Sequence, residues 1–280
     1  MPATHRRKAA VGVFSSAALI LASCSGSTAP QPGTPAFYWD AARTTYAASD
    51  YTNTIDNLDK IGSSQNEYAA RAQPWSLVLT SGMAQGYEEL ADSFEAGARI
   101  NRGNATAFHR QVSNCRSAAN HLALQFAENF ATFQKNNKDE YILLAFGYPA
   151  GSPTPVPLLT KISNGALPPP ADIETAQRRA VERAVLLATC RAAGAADDPA
   201  KVQDLLKSGD GKVARAAFVT AMANVLYEQS QLYSHQKLDD PEKQNIFCRR
   251  ALEALKTLPE SKETKALNTK IEASLKPKKL

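Results

Sequence analysis

The chain reads as an all-α protein of antiparallel helix hairpins, set in two helical blocks. Three observations predict this. From residue 35 onward the apolar residues recur mostly at spacings of three and four, the helical period. Alanine is abundant and alternating β-branched runs are almost absent, which favours helix over strand. Seven of the 16 prolines fall between Pro149 and Pro170, so no long helix survives there and the body is divided. The 280 residues, 44% hydrophobic and 21% charged, can bury a large core, which excludes disorder throughout and a polytopic membrane protein.

The first element is residues 1–8, which carry Arg6, Arg7 and Lys8 and no acid. Residues 9–23 follow as an uncharged run, too short to span the roughly 30 Å of a bilayer core as a stable helix. The run ends in Leu21-Ala22-Ser23-Cys24. This resembles the signal peptide and lipobox of bacterial lipoproteins. The resemblance implies cleavage after residue 23, acyl chains such as palmitate on Cys24, and a membrane partner reached through those chains. Two or three chains make such an anchor long-lived. Ser25 follows Cys24, which by the same resemblance implies the outer membrane, facing the periplasm. In a bacterium with one membrane it implies the outer face of the plasma membrane. Residues 24–35 hold no charge and no large apolar side chain, and read as a flexible tether. The formal charge of +5 falls to about +2 without the three basic residues of the signal, which argues against a nucleic-acid partner.

The N-terminal block, residues 36–147, predicts helices over 36–48, 51–61, 66–85, 87–100 and 105–135. Asp50 stands at a cap position before Tyr51, and Pro74 marks a first turn within the 66–85 segment. The only two tryptophans, Trp39 and Trp75, are 36 residues apart, as are Tyr51 and Tyr87, Ile55 and Ala91, and Leu58 and Phe94. Two helix–turn–helix units therefore follow one another. Residues 49–58 and 85–94 resemble the middle of a tetratricopeptide repeat, the second with the better-matched closing aromatic, Phe94, although Ser49 and Gln85 stand where glycine is usual and Gly86 is only adjacent. The match is imperfect: the period is 36, and Thr54 and Leu90 stand where alanine is usual. The resemblance implies a tetratricopeptide-like solenoid or bundle, with Trp39, Trp75, Gly86, Ala91 and Phe94 as repeat-packing residues. Ala91 would lie buried at a helix–helix contact.

Residues 148–171 form the proline-rich loop, with one short turn at 158–162. As a connector, it would change stability little when shortened; as a binding element, its deletion would leave thermal unfolding intact and abolish partner capture. The C-terminal block, residues 172–275, predicts helices over 172–194, 199–207, 212–234, 241–257 and 261–274. Asp172 and Asp240-Pro241-Glu242 read as helix starts. Residues 276–280 are a basic tail.

Beyond Cys24, three cysteines remain: Cys115, Cys190 and Cys248. A Cys190–Cys248 bridge would close about 58 residues and stabilise by roughly 4 kcal/mol, with Cys115 as the alternative partner. Three buried thiols acting as small hydrophobes are the other reading. No metal site stands out. His109 and His121 have no ligand four residues on, and the pair His235 and Asp239 lacks a third. Residues 208–212 superficially suggest a phosphate loop, but Leu206 and Val213 occupy two of its defining positions. The carboxylates Asp56, Asp59, Glu88 and Glu89 are expected on solvated helix faces. No nucleophile–base pair appears, so the chain reads as a non-enzyme without cofactors. The expected function is an envelope scaffold that binds another envelope protein or a peptide. The alternative is a small-molecule-binding periplasmic lipoprotein associated with a transporter, by likeness to the ligand-handling lipoproteins of tripartite ATP-independent transporters.

Overall fold

A computed structural model describes residues 30–196 and 198–275. The expected signal peptide, Cys24, the first half of the tether and the basic tail lie outside the described residues. The fold is mostly helical.

Helix α1 (Pro35–Ala47) starts at Thr34, whose Oγ1 accepts from the Phe37 amide at 3.3 Å. Helix α2 (Tyr51–Gly62) starts at Asp50, whose carboxylate accepts from the Asn53 amide at 3.2 Å. The two form the expected first hairpin, turned at Ser49 with φ +59°.

The expected second hairpin does not form. Trp75 and Tyr87 lie on one continuous helix, α3 (Ala69–Ile100), of 32 residues and about 48 Å. Gly86 is not a turn residue. A Cβ there would sit 2.9 Å from Val181 Cα, and one at Gly82 would sit 2.7 Å from Val185 Cα. Two glycines one turn apart let α3 lie backbone-to-backbone on α6 (Pro170–Ala192). That packing offsets the loss of roughly 1 kcal/mol in helix propensity that each glycine brings. From Pro74 to Ala84 every residue of α3 is buried, so the helix runs through the middle of the molecule. Its opposite side packs against α4 (Ala105–Asn136).

Two strands escaped the sequence reading. β1 (Tyr141–Leu144) pairs antiparallel with β2 (Gly211–Ala214), in register Tyr141 with Ala214 and Leu144 with Gly211. This ribbon joins the two expected blocks. Both blocks also contribute to one core. One hydrophobic cluster runs from Trp39 on α1 to Ile271 on α10 (Lys262–Leu275), and includes residues of α7 (Pro199–Leu206), α8 (Arg215–Ser230) and α9 (Pro241–Lys256). The proline-rich segment is not a loose connector. Its short helix α5 (Pro157–Ser163) buries Leu159 and Ile162 in a second cluster with Ala91, Phe94, Phe108 and Cys115. Truncating a fully buried aliphatic such as Ile162 would cost roughly 2–5 kcal/mol, against the small loss expected of a connector.

Trp39, Trp75, Ala91 and Phe94 are all buried. The tryptophans do not occupy equivalent repeat positions. Both pack on Phe146, each with ring centroids 5.1 Å away, and pin the segment after β1 against α1 and α3. Tyr46 closes this aromatic cluster and donates from its hydroxyl to the Gly147 carbonyl at 2.8 Å.

Candidate functional site

The close approach of α3 and α6 decides what lies beside it. Gln85 and Glu88 flank Gly86 on α3, and Ala188 and Arg191 continue the facing side of α6. With Val225, Tyr227, Glu228 and Gln229 of α8, and Lys270 of α10, they line a cleft of about 410 Å³. A second hollow of about 590 Å³ shares Gln85, Glu88 and Arg191 with the first, and continues past Glu89, Asp92, Ser93 and Arg183. The two make one groove along α3, from Ser81 to Ser93. Twelve helical steps span about 18 Å.

Its charges are paired. Arg191 Nη1 donates to Glu228 Oε2 at 2.7 Å, and Asn224 Nδ2 donates to Glu228 Oε1 at 2.9 Å. Arg183 Nη1 donates to both oxygens of Glu89, at 3.0 and 2.9 Å, and its Nε donates to the Pro153 carbonyl at 3.1 Å. Lys237, from the turn before α9, bridges Glu88 and Asp92, the latter at 3.2 Å. Burial alone would lower the Lys237 pKa, but the two carboxylates outweigh it and hold the ammonium protonated above its usual range. Glu88 and Glu89 are therefore not on a solvated face, as expected, but half-buried and paired.

Two groups in the cleft wall stand apart from this pairing. Lys270 is exposed, its Nζ 4.9 Å above the Tyr227 ring. Gln229 is 6% exposed, and among the described residues neither its Oε1 nor its Nε2 has a hydrogen-bond partner. A buried primary amide with both ends unpaired is costly, because its polar atoms have left water for nothing. The sequence reading missed Gln229, though a signal existed. It follows Phe218, Met222 and Val225 at steps of four, three and four, a polar residue on the buried stripe of α8.

Of the repeat-packing residues expected from the sequence, Gly86 alone adjoins the groove, through its backbone contact with α6, while Glu88 and Glu89 line it. Trp39, Trp75, Ala91 and Phe94 are core. The expected Cys190–Cys248 bridge is not formed. Cys115, Cys190 and Cys248 are buried free thiols. α6 and α9 both pack on α8, and the two thiols have separate neighbours there. Cys190 meets the Tyr148 hydroxyl, whereas Cys248 Sγ lies 3.4 Å from Ser230 Oγ and 3.7 Å from Ser274 Oγ. Burial pushes the Cys115 thiol up to about 11. His235 Nδ1 lies 2.9 Å from Asp239 Oδ1 on an exposed turn. Among the described residues no cluster of three or more metal-ligating side chains occurs, and no helix is long and apolar enough to cross a membrane.

A second, smaller hollow of about 200 Å³ opens where α2, α3 and α4 meet. Asp59 lies in its wall, half-buried rather than on the solvated face expected of it. Comparison with known protein families, curated proteins and solved structures finds no match to the chain.

Proposed function

We propose that the chain is a lipid-anchored envelope protein that works by binding, not catalysis, and that its groove along α3 takes an extended segment of another envelope protein or a peptide. The observation that carries this reading is Gln229, a buried amide with a free donor and a free acceptor in the wall of the cleft. One residue of an extended chain presents its own N–H and C=O to the same side, the donor and acceptor complementary to a primary amide. The shape agrees. About 18 Å of groove matches about five residues of extended chain at roughly 3.3 Å each. A compact small molecule would use one hollow and leave the other empty, so the peptide reading is preferred over the transporter-associated alternative.

The anchor rests on the basic segment, the short apolar run and Cys24, and Ser25 after it supports the outer membrane, facing the periplasm, as its site. Cys24→Ala should leave the precursor uncleaved and without acyl label, and normal maturation of that variant would remove the anchor from the proposal. The tetratricopeptide likeness is supported by the α1–α2 hairpin with Trp39 and Tyr51, while the unbroken α3 departs from it.

A photo-crosslinking residue at Gln231, on the cleft rim, tests the groove in intact cells. It should give a discrete adduct that a crosslinker at exposed Glu253 on α9 does not give. Gln229→Met should abolish that adduct. Identical adducts from both positions, or none from Gln231, would refute the groove as the binding site.

A further inference from the structure

The hollow between α2, α3 and α4 carries an inference that is independent of the groove. Asp59 Oδ1 accepts from Ser76 Oγ at 2.9 Å and from Asn129 Nδ2 at 3.2 Å, and Oδ2 accepts from Gln125 Nε2 at 2.7 Å. Asn129 Nδ2 also donates to Ser76 Oγ at 2.8 Å, which locks the four groups into one network. Every partner of this carboxylate is neutral, and among the described residues it joins no ion pair. The adjacent cation, Lys60, is turned away, its Nζ 5.0 Å over the Tyr38 ring. A half-buried carboxylate is thus held in fixed position beside an open hollow, with no cation paired to it among the described residues.

The shape of the network selects the kind of cation. An ionised carboxylate has about four acceptor sites, and three are taken. A guanidinium pairs best with both oxygens at once, and here both are already engaged. A divalent metal needs several oxygen ligands and more negative charge than one carboxylate supplies. An ammonium is a point charge with three donors and needs one free carboxylate site plus neutral oxygens. Gln73 and Thr132, which also line the hollow, supply oxygens of that kind. Leu58 supplies an apolar wall for a methylene stem.

We propose that this pocket binds a primary ammonium group on an alkyl stem, carried by a free amine or by a lysine side chain. The test follows the side-chain amide resonances of Gln125 and Asn129 in the purified full-length protein during titration. The probes are n-butylammonium, Nα-acetyl-lysine-N-methylamide, tetramethylammonium and potassium chloride. Both primary amines should shift the two resonances saturably, and tetramethylammonium, which has no N–H donor, should not. Lysine amide binding at least tenfold tighter than butylammonium identifies a polypeptide lysine, and equal binding a free amine. Asp59→Asn should weaken binding at least tenfold. Thr132→Trp, at an exposed position that leaves the network intact, should do the same with an unchanged melting curve. No saturable shift, a shift that survives both substitutions, or potassium displacing the amine at equal concentration would overturn the proposal. None of these outcomes bears on crosslinking from Gln231.

Discussion

Gln229→Met separates a binding residue from a structural one, because the two roles give opposite signs. Methionine keeps the length of the side chain and its place among Met222, Val225 and Leu226, but removes both unpaired polar atoms. A buried polar group without a partner costs roughly 1–3 kcal/mol, and Gln229 carries two within one amide. A net gain of about 2 kcal/mol is expected after allowing for imperfect packing of the new sulfur. For a body of this size each kcal/mol moves the midpoint by about 2–4 °C, so the Tm should rise by roughly 4–8 °C. The assay is thermal unfolding followed by circular dichroism, with Gln231→Met, at a half-buried rim position, as the control expected to change little. The same Gln229→Met variant should lose its crosslinked partner. Higher stability with lost binding is the signature of a site held at the expense of the fold. An unchanged or lower Tm would refute the reasoning, since it would mean the amide is already satisfied within the folded chain.

Three further expectations test the framework around the site. Gly86→Ala should destabilise by roughly 1–2 kcal/mol despite better helix propensity, because its Cβ meets Val181 Cα at 2.9 Å; Gly62→Ala, whose nearest neighbour is Gln73 Cγ at 3.7 Å, should not, and equal melting of the two would refute the close packing of α3 on α6. The three cysteines beyond Cys24 should react with a thiol reagent at pH 8 only after denaturant is added, since burial raises Cys115 from 9.0 to about 11, roughly a hundredfold loss of thiolate; fast native reaction or an oxidised pair would contradict the free, buried thiols. Burial would raise the Glu95 pKa, but Arg99 and Arg116 outweigh it and hold the carboxyl below its usual value. Its contribution to stability is therefore complete above the unfolded carboxyl pKa and lost as pH falls through the folded one. Glu95→Gln should flatten that acid limb of a stability–pH curve, and an unchanged limb would show that the pair contributes nothing.

The helices were largely legible because their ends carry local chemistry. Asp50 before Tyr51 and Asp240 before Pro241 each cap the helix they announce, and both caps are made. Asp198, which the sequence reading did not single out, caps α7 in the same way. The error at residues 85–87 has the opposite origin. A glycine next to an aromatic resembles a repeat turn when only neighbours in sequence are seen, whereas here Gly86 is spent on a neighbour 95 residues away. The strands failed for a related reason. Four residues are too few to show a period, and β1 and β2 find each other across roughly 70 residues.

The site divides along the same line. Gln229 was legible in principle, since a polar residue on an apolar stripe is visible within one helix. The ion pairs were not, because their partners are 37 residues apart for Arg191 and Glu228, and 149 apart for Lys237 and Glu88. Read alone, Glu88 and Glu89 belong in solvent. They are half-buried where Gly82 and Gly86 bring α3 to within backbone contact of α6. A carboxylate in that position must find a cation, and the chain supplies Lys237 to one and Arg183 to the other. Gln229 faces the same constraint with no such partner among the described residues. The packing that satisfies its charged neighbours thus leaves its amide unpaired.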